Sequence, residues 1–154
     1  MMKRFMLLFA LAFSFHKGSA FAIDNLKLNP NLDYSSDSLD GALITGDDAQ
    51  SGFVPGKPNY VIIYGEGCFN SKRQARRTVE LYNKYHAQVH FVVIDLDAER
   101  SPEQQYLVKQ YYKGYIPHVL VLDGRGKAIY NESGEVESRT IEGFLQQSLE
   151  RDGK

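Results

Sequence analysis

The chain of 154 residues contains one cysteine and no tryptophan, and its 18 basic residues are nearly matched by 19 acidic ones. A single cysteine excludes an internal disulfide, so packing alone holds the fold and any disulfide made by Cys68 joins the chain to another molecule. It also excludes the paired thiolates of structural zinc sites, and no metal is expected. The lack of basic excess sets aside nucleic acid and anionic membrane surfaces as main partners. No apolar run reaches the ~20 residues that cross a bilayer, so no membrane span is expected in the mature form. There is no glycine-rich phosphate loop and no hydrolase-like carboxylate pair.

What is present begins with a leader pattern. Lys3 and Arg4 precede an apolar run from Phe5 to Phe15, and Ala20-Phe21-Ala22 supplies small residues at alternate positions. This predicts a signal peptide over residues 1–22, cleaved after Ala22, and export to a periplasm or to the outside. Cleavage removes Lys3, Arg4 and Lys17, which takes 18 basic residues to 15 against 19 acidic ones, a net charge of −4. The remaining 132 residues suit one domain with its own core.

Residues 23–55 read as a polar N-terminal arm, with a weak helix over Ser38–Ser51 carried by Leu39, Ala42 and Leu43 and opposed by Gly41 and Gly46. Residues 56–150 read as the folded domain. Tyr60-Val61-Ile62-Ile63-Tyr64 is a buried strand. Ala75, Val79, Tyr82 and His86 recur at helical spacing, giving a helix from Phe69 to Tyr85. Val89–Asp95 is a second buried strand, and Ser101-Pro102-Glu103-Gln104 opens a helix with a cap residue and a proline at its first position. Val119–Leu122 and Lys127–Tyr130 flank Asp123-Gly124-Arg125-Gly126 as an antiparallel hairpin. A last helix follows Ser138, with Ile141, Phe144, Leu145 and Leu149 on one face.

Cys68 lies where the first of these strands hands over to a helix. There the unpaired backbone N–H groups and the helix dipole favour a thiolate. The preceding strand already supplies its own apolar residues, so the thiol is not needed as core filling. Lys72, Arg73, Arg76 and Arg77 follow within two turns. They are too far apart in angle for all to face the sulfur: Arg76 is one candidate neighbour, and Arg73 and Arg77 suit a solvated face equally well.

The order strand, helix, strand, helix, strand, strand, helix, with Cys68 at the first junction and Ile116-Pro117 before the third strand, resembles the thioredoxin family over roughly residues 56–149. The resemblance implies an α/β fold with a central mixed sheet flanked by helices, Cys68 as nucleophile, Lys72 as the basic residue after the motif, and Pro117 in cis beside the sulfur. It further implies that the Ile116 backbone pairs with an extended substrate peptide, with Phe69 and Tyr115 flanking the groove. Gly134 falls where the family has a glycine before its final helix.

The departures are equally specific. Cys68-Phe69-Asn70-Ser71 stands where the family has Cys-Gly-Pro-Cys, so Ser71 replaces the resolving sulfur. Gly67 replaces a tryptophan, Ile62 the buried aspartate that assists proton transfer, and Arg76 a kinking proline. Dithiol reduction is thereby put in doubt. His118 either approaches Cys68 as a base or is turned away by strand alternation, whereas His86 and His90 do not share a face and are structural. The Phe69-Asn70 interior differs from the Gly-Phe interior of cluster-binding monothiol glutaredoxins, so no cofactor is expected. Two readings stand. One is an exported monothiol oxidoreductase or isomerase acting on disulfide- or thiol-containing proteins, with glutathione or another small thiol as co-reactant. The other is a redox-inactive binding module that holds clients in the groove.

Overall fold

The computed structural model describes residues 25–39, 41–46 and 51–152. The expected leader, and part of the segment read as a weak helix, lie outside these residues.

Four strands form the main sheet in the order β4-β3-β5-β6: β3 (Asn59–Tyr64), β4 (His90–Asp95), β5 (His118–Leu122) and β6 (Ala128–Ser133). β3 and β4 are parallel, while β5 runs antiparallel to both β3 and β6. A parallel pair needs a crossover, and the helix Phe69–Tyr85 (α1) supplies it. Every residue of β3, β4 and β5 is buried, which is why these strands read as continuous apolar runs and not as alternating ones.

Strand alternation divides the core in two. Tyr60, Ile62 and Tyr64 face one side, where α1 adds Ala75, Leu81, Tyr82 and Tyr85 and α3 (Ser138–Asp152) adds Ile141 and Leu145. Val61 and Ile63 face the other side, with Leu107 of α2 (Pro102–Tyr111). The buried stripe of α1 is rotated from the expected one: Leu81 and Tyr85 enter the core, Val79 is half-buried, and His86 is an exposed cap whose Nδ1 lies 3.0 Å from the Tyr82 carbonyl. α2 begins as its sequence implies, with the Ser101 hydroxyl accepting from the Gln104 N–H at 3.2 Å.

Three buried polar side chains of the α1 layer, Gln74, Tyr60 and Thr78, satisfy one another. The Gln74 side chain accepts from the Val136 N–H at 2.9 Å and donates to the Tyr60 hydroxyl at 3.3 Å, which also meets Thr78 at 2.8 Å. Gln74→Leu leaves that N–H unpaired in a dry site and is expected to lower stability by about 2 kcal/mol, measured by urea unfolding.

The N-terminal arm corrects the sequence reading. The described part of Ser38–Ser51 contains a strand and no helix: β2 (Ile44–Thr45) pairs antiparallel with β1 (Lys27–Leu28). Leu26, Leu43 and Ile44 are buried in the same core as α1, and the Leu43 N–H donates to the Tyr64 hydroxyl at 3.1 Å. Two-residue strands carry too little periodicity to register in a sequence.

Candidate functional site

Cys68 is the N-cap of α1, with extended backbone (φ −96°, ψ 116°) and a half-buried side chain that makes no capping bond. Its carbonyl accepts the first helical bond, from the Lys72 N–H at 2.9 Å. The cap that Cys68 does not supply comes from the arm, where the Asp37 carboxylate accepts from the Phe69 N–H at 2.8 Å. A carboxylate thus occupies the positive end of the helix beside the sulfur.

The basic residues after Cys68 are drawn to other partners. Lys72 is fully buried, and its ammonium donates to the Asp33 carbonyl (2.5 Å), the Ser38 carbonyl (2.9 Å) and the Ser38 hydroxyl (3.1 Å). It ties the arm to α1. Arg76 lies over the Tyr34 ring of the arm at 5.6 Å. Arg73 and Arg77 both bond Glu135 in the loop before α3, Arg77 also reaches Glu137 at 2.7 Å, and Arg73 lies 5.1 Å over the Phe69 ring. The arm itself is braced at Asp33, whose carboxyl is held down at about 2 by the Ser35 hydroxyl and N–H and the Ser36 hydroxyl.

Ser71 lies in the first turn of α1, fully buried, and its hydroxyl has no hydrogen-bond partner among the described residues. The Ile116–Pro117 peptide is cis, as the resemblance implies. This loop meets the cysteine loop at Gly65, where an added Cβ would lie 2.5 Å from Ile116 Cδ1 and 3.5 Å from Asp97 Oδ2. Pro117 is buried, Ile116 and Phe69 are half-buried, and Tyr115 is 75% exposed. Leu39, 71% exposed, comes within van der Waals distance of where a Gly67 Cβ would be. Phe69, Tyr115 and Leu39 therefore offer apolar surface beside these two loops.

His118 is committed to β6. Nε2 donates to Asn131 Oδ1 at 2.7 Å, Nδ1 accepts from the Ser133 hydroxyl at 2.9 Å, and burial pushes its pKa down. With both nitrogens engaged across the sheet, it is placed as a structural histidine and not as a base for Cys68.

The sequence reading overlooked an acidic group on the other side of the cysteine loop. Glu66, two residues before Cys68, donates its N–H to Asp97 Oδ2 at 2.7 Å. Its carboxyl is pushed up to about 7 by partial burial and by the neighbouring carboxylates of Asp95 and Asp97. Asp95 ends β4 and sits opposite Tyr64 in the β3–β4 register. The signal that could have found the group is the parallel pairing itself, which sets the end of the Val89–Asp95 strand beside the segment leading to Cys68.

No family model matches the chain. The thiol:disulfide interchange protein TxlA homolog of Synechocystis is 32% identical over 88 residues, which cover 56% of this chain and 47% of that protein. The chain thus spans about half the length of this curated relative. Among solved structures, a malarial protein superposes with a TM-score of 0.50 at 14% identity, covering 60% of this chain and 98% of the malarial one. The sheet order, the α/β crossover and the similarity to a thiol:disulfide interchange protein agree: this chain has the thioredoxin fold.

Proposed function

We propose that this is an exported, single-thiol thioredoxin-like oxidoreductase or isomerase, acting in a periplasm or outside the cell. The observation that carries the reading is the half-buried Cys68 thiol at the N-cap of α1, on a loop that meets the cis-proline loop at Gly65. The similarity to a thiol:disulfide interchange protein supports it. The Cys68 thiolate attacks one sulfur of a substrate disulfide, a Cys68–substrate bond forms, and the other substrate sulfur leaves as a thiolate and takes a proton. A second thiol, from the same substrate or a small molecule such as glutathione, attacks the substrate sulfur of the adduct and regenerates Cys68. The number of disulfides is unchanged, so the reaction is exchange and not net reduction. Leu39, Phe69 and Tyr115 hold the client beside the sulfur.

A second reading has its own observation. The Asp37 carboxylate caps the start of α1, and the Lys72 ammonium is engaged by the arm. They suit a binding module in which Cys68 is silent.

Incubation with a disulfide-bonded protein, followed by acid quenching and mass spectrometry, separates the two. The redox reading expects an adduct at Cys68 that forms faster than on an unfolded cysteine peptide and is absent from Cys68→Ala. Adduct formation no faster than on the peptide establishes the binding module. Repeated net reduction of the substrate with a dithiol donor and no added monothiol contradicts the single-thiol mechanism.

A further inference from the structure

We propose that His118, through its two hydrogen bonds to β6, is a positioning residue for exchange at Cys68: it holds the loop 112–117 against the cysteine loop, and protonation of its ring frees that loop. This deepens the redox reading and rests on it.

The clamp is built where β5 begins. His118 is the first residue of β5, directly after Pro117, and it pairs with Ser133 of β6. Paired residues of an antiparallel ladder point to one face, and so do residues two apart on a strand, so Asn131 and Ser133 both meet the imidazole. Ser133 Oγ lies 2.9 Å from Nδ1, and Asn131 Oδ1 lies 2.7 Å from Nε2. One residue further on, the Gly134 N–H donates to the Pro117 carbonyl at 2.7 Å. At the other end of the loop the Lys113 ammonium donates to the Asn131 carbonyl at 2.6 Å, and the Tyr112 ring stands edge-on to His118 with centroids 6.0 Å apart. Residues 131–134 therefore grip the loop at both ends. Its middle reaches the cysteine loop, where Ile116 fills the space beside Gly65 that a side chain would need. The ring is no base for Cys68; it acts through the main chain of residues 116 and 117.

The two hydrogen bonds define the charge of the ring. An amide oxygen only accepts, so Nε2 carries a proton, and the neutral ring leaves Nδ1 to accept from the Ser133 hydroxyl. A second proton, on Nδ1, turns this acceptor into a donor, forces the hydroxyl to rotate and places a charge on a fully buried side chain. The surroundings do little to offset that charge. Glu132 of β6 favours it, but the Glu132 carboxylate is bonded at 3.1 Å to the Lys113 ammonium, which opposes it. Tyr112, at the end of α2, adds a phenol that burial keeps protonated, and β3 adds Ile63 opposite His118. Among the described residues no carboxylate bonds the ring. Burial, the largest influence, therefore pushes the pKa of His118 below its ordinary 6.5.

A released loop lets the ring take its proton near the ordinary value, whereas the clamped ring resists it. The clamp is at full strength above about pH 6.5 and weakens as the pH falls below it. A client lying along the Ile116 main chain needs the loop in place. A small reagent that meets only the sulfur does not. Acid therefore slows exchange with an extended client more than it slows attack on a small reagent.

The test compares two reactions of Cys68 between about pH 7.5 and about pH 5, the range in which a histidine changes charge. One is adduct formation with an extended, uncharged peptide carrying a disulfide to a neutral small thiol; the other is alkylation by iodoacetamide. Taking the ratio of the two rates cancels the fraction of thiolate. In wild type the ratio is expected to fall about tenfold over this range. His118→Gln keeps a neutral donor and acceptor and has no proton to gain, so its ratio should stay level. Asn131→Asp gives the imidazolium a carboxylate partner and should also abolish the fall. Glu66 on the cysteine loop titrates at about 7, so Glu66→Gln is the control and should keep the fall. Hydrogen exchange of the Gly134 amide, corrected for its intrinsic pH dependence, reads the clamp without the thiol. Its protection should drop over the same range in wild type and not in Asn131→Asp. A level ratio in wild type, or an equal fall in His118→Gln and Asn131→Asp, overturns the proposal. A wild type that reacts with the peptide disulfide no faster than an unfolded cysteine peptide overturns the redox reading itself, while the Gly134 protection still decides on the clamp.

Discussion

Lys72→Met is expected to lower the stability of the protein by about 3 kcal/mol and to release the N-terminal arm. The ammonium is fully buried and accepted by two main-chain carbonyls and a hydroxyl, all from residues 33–38. Hydrogen bonds to a charged group are worth more than neutral ones, and the methionine leaves those oxygens facing an apolar side chain. Because the arm also caps α1 through Asp37 and covers Arg76 with Tyr34, the loss spreads beyond one contact. Urea unfolding reads the stability change. Limited proteolysis between residues 33 and 39 reads the release, and alkylation of Cys68 should become faster as the neighbouring segment lifts. An unchanged cleavage pattern together with unchanged stability would return Lys72 to the role its sequence position implies, as a partner of the sulfur.

Ser71→Cys is expected to let the chain close an internal disulfide with Cys68 under mild oxidation. Ser71 follows Cys68 by one helical turn, and it is already fully buried. Its hydroxyl lacks a hydrogen-bond partner, a desolvation cost that a thiol at the same place does not carry, so the variant should be at least as stable as wild type. The variant should then release substrate without an added thiol and show slow multiple turnover with a dithiol donor, where wild type stops at the adduct. A mass loss of two hydrogen atoms on oxidation checks the bond. Failure to form it would show that the first turn of α1 does not bring position 71 to the sulfur.

The order of strands and helices was legible because β3, β4 and β5 are buried on both faces and therefore contain unbroken apolar runs, bounded by turn residues such as Asp123-Gly124. Cys68 and Pro117 were legible because each sits at a boundary between such elements. What was not legible depends on contacts between segments distant in sequence. Lys72 reads as a neighbour of the sulfur until residues 33–38, more than thirty positions earlier, are folded over α1 and take its charge. His118 reads as ambivalent until β6 is placed beside β5 and supplies Asn131 and Ser133. Leu26, Leu43 and Ile44 are scattered among polar residues, so the arm reads as a tail although it completes the core. Glu66 passes unnoticed because its acidity is set by Asp95 and Asp97, which only the parallel pairing brings near.

The small residue at position 67 has a consequence for how such chains vary. A Cβ there would lie 3.3 Å from the Asp37 carbonyl and from Leu39 Cδ1, and 3.4 Å from Leu39 Cα. The resemblance gives this position to tryptophan, so the segment 37–39 occupies room that an indole fills elsewhere. Installing the tryptophan alone must force the segment outward and uncap α1; deleting the segment alone must leave the cysteine loop bare. Each change is therefore costly by itself, and the pair together should be much less so, a coupling that a double-mutant cycle on Gly67 and Asp37 measures as a departure from additivity. Loop and arm pack as one unit, so a graft of this cysteine motif onto another thioredoxin fold has to bring residues 33–39 with it.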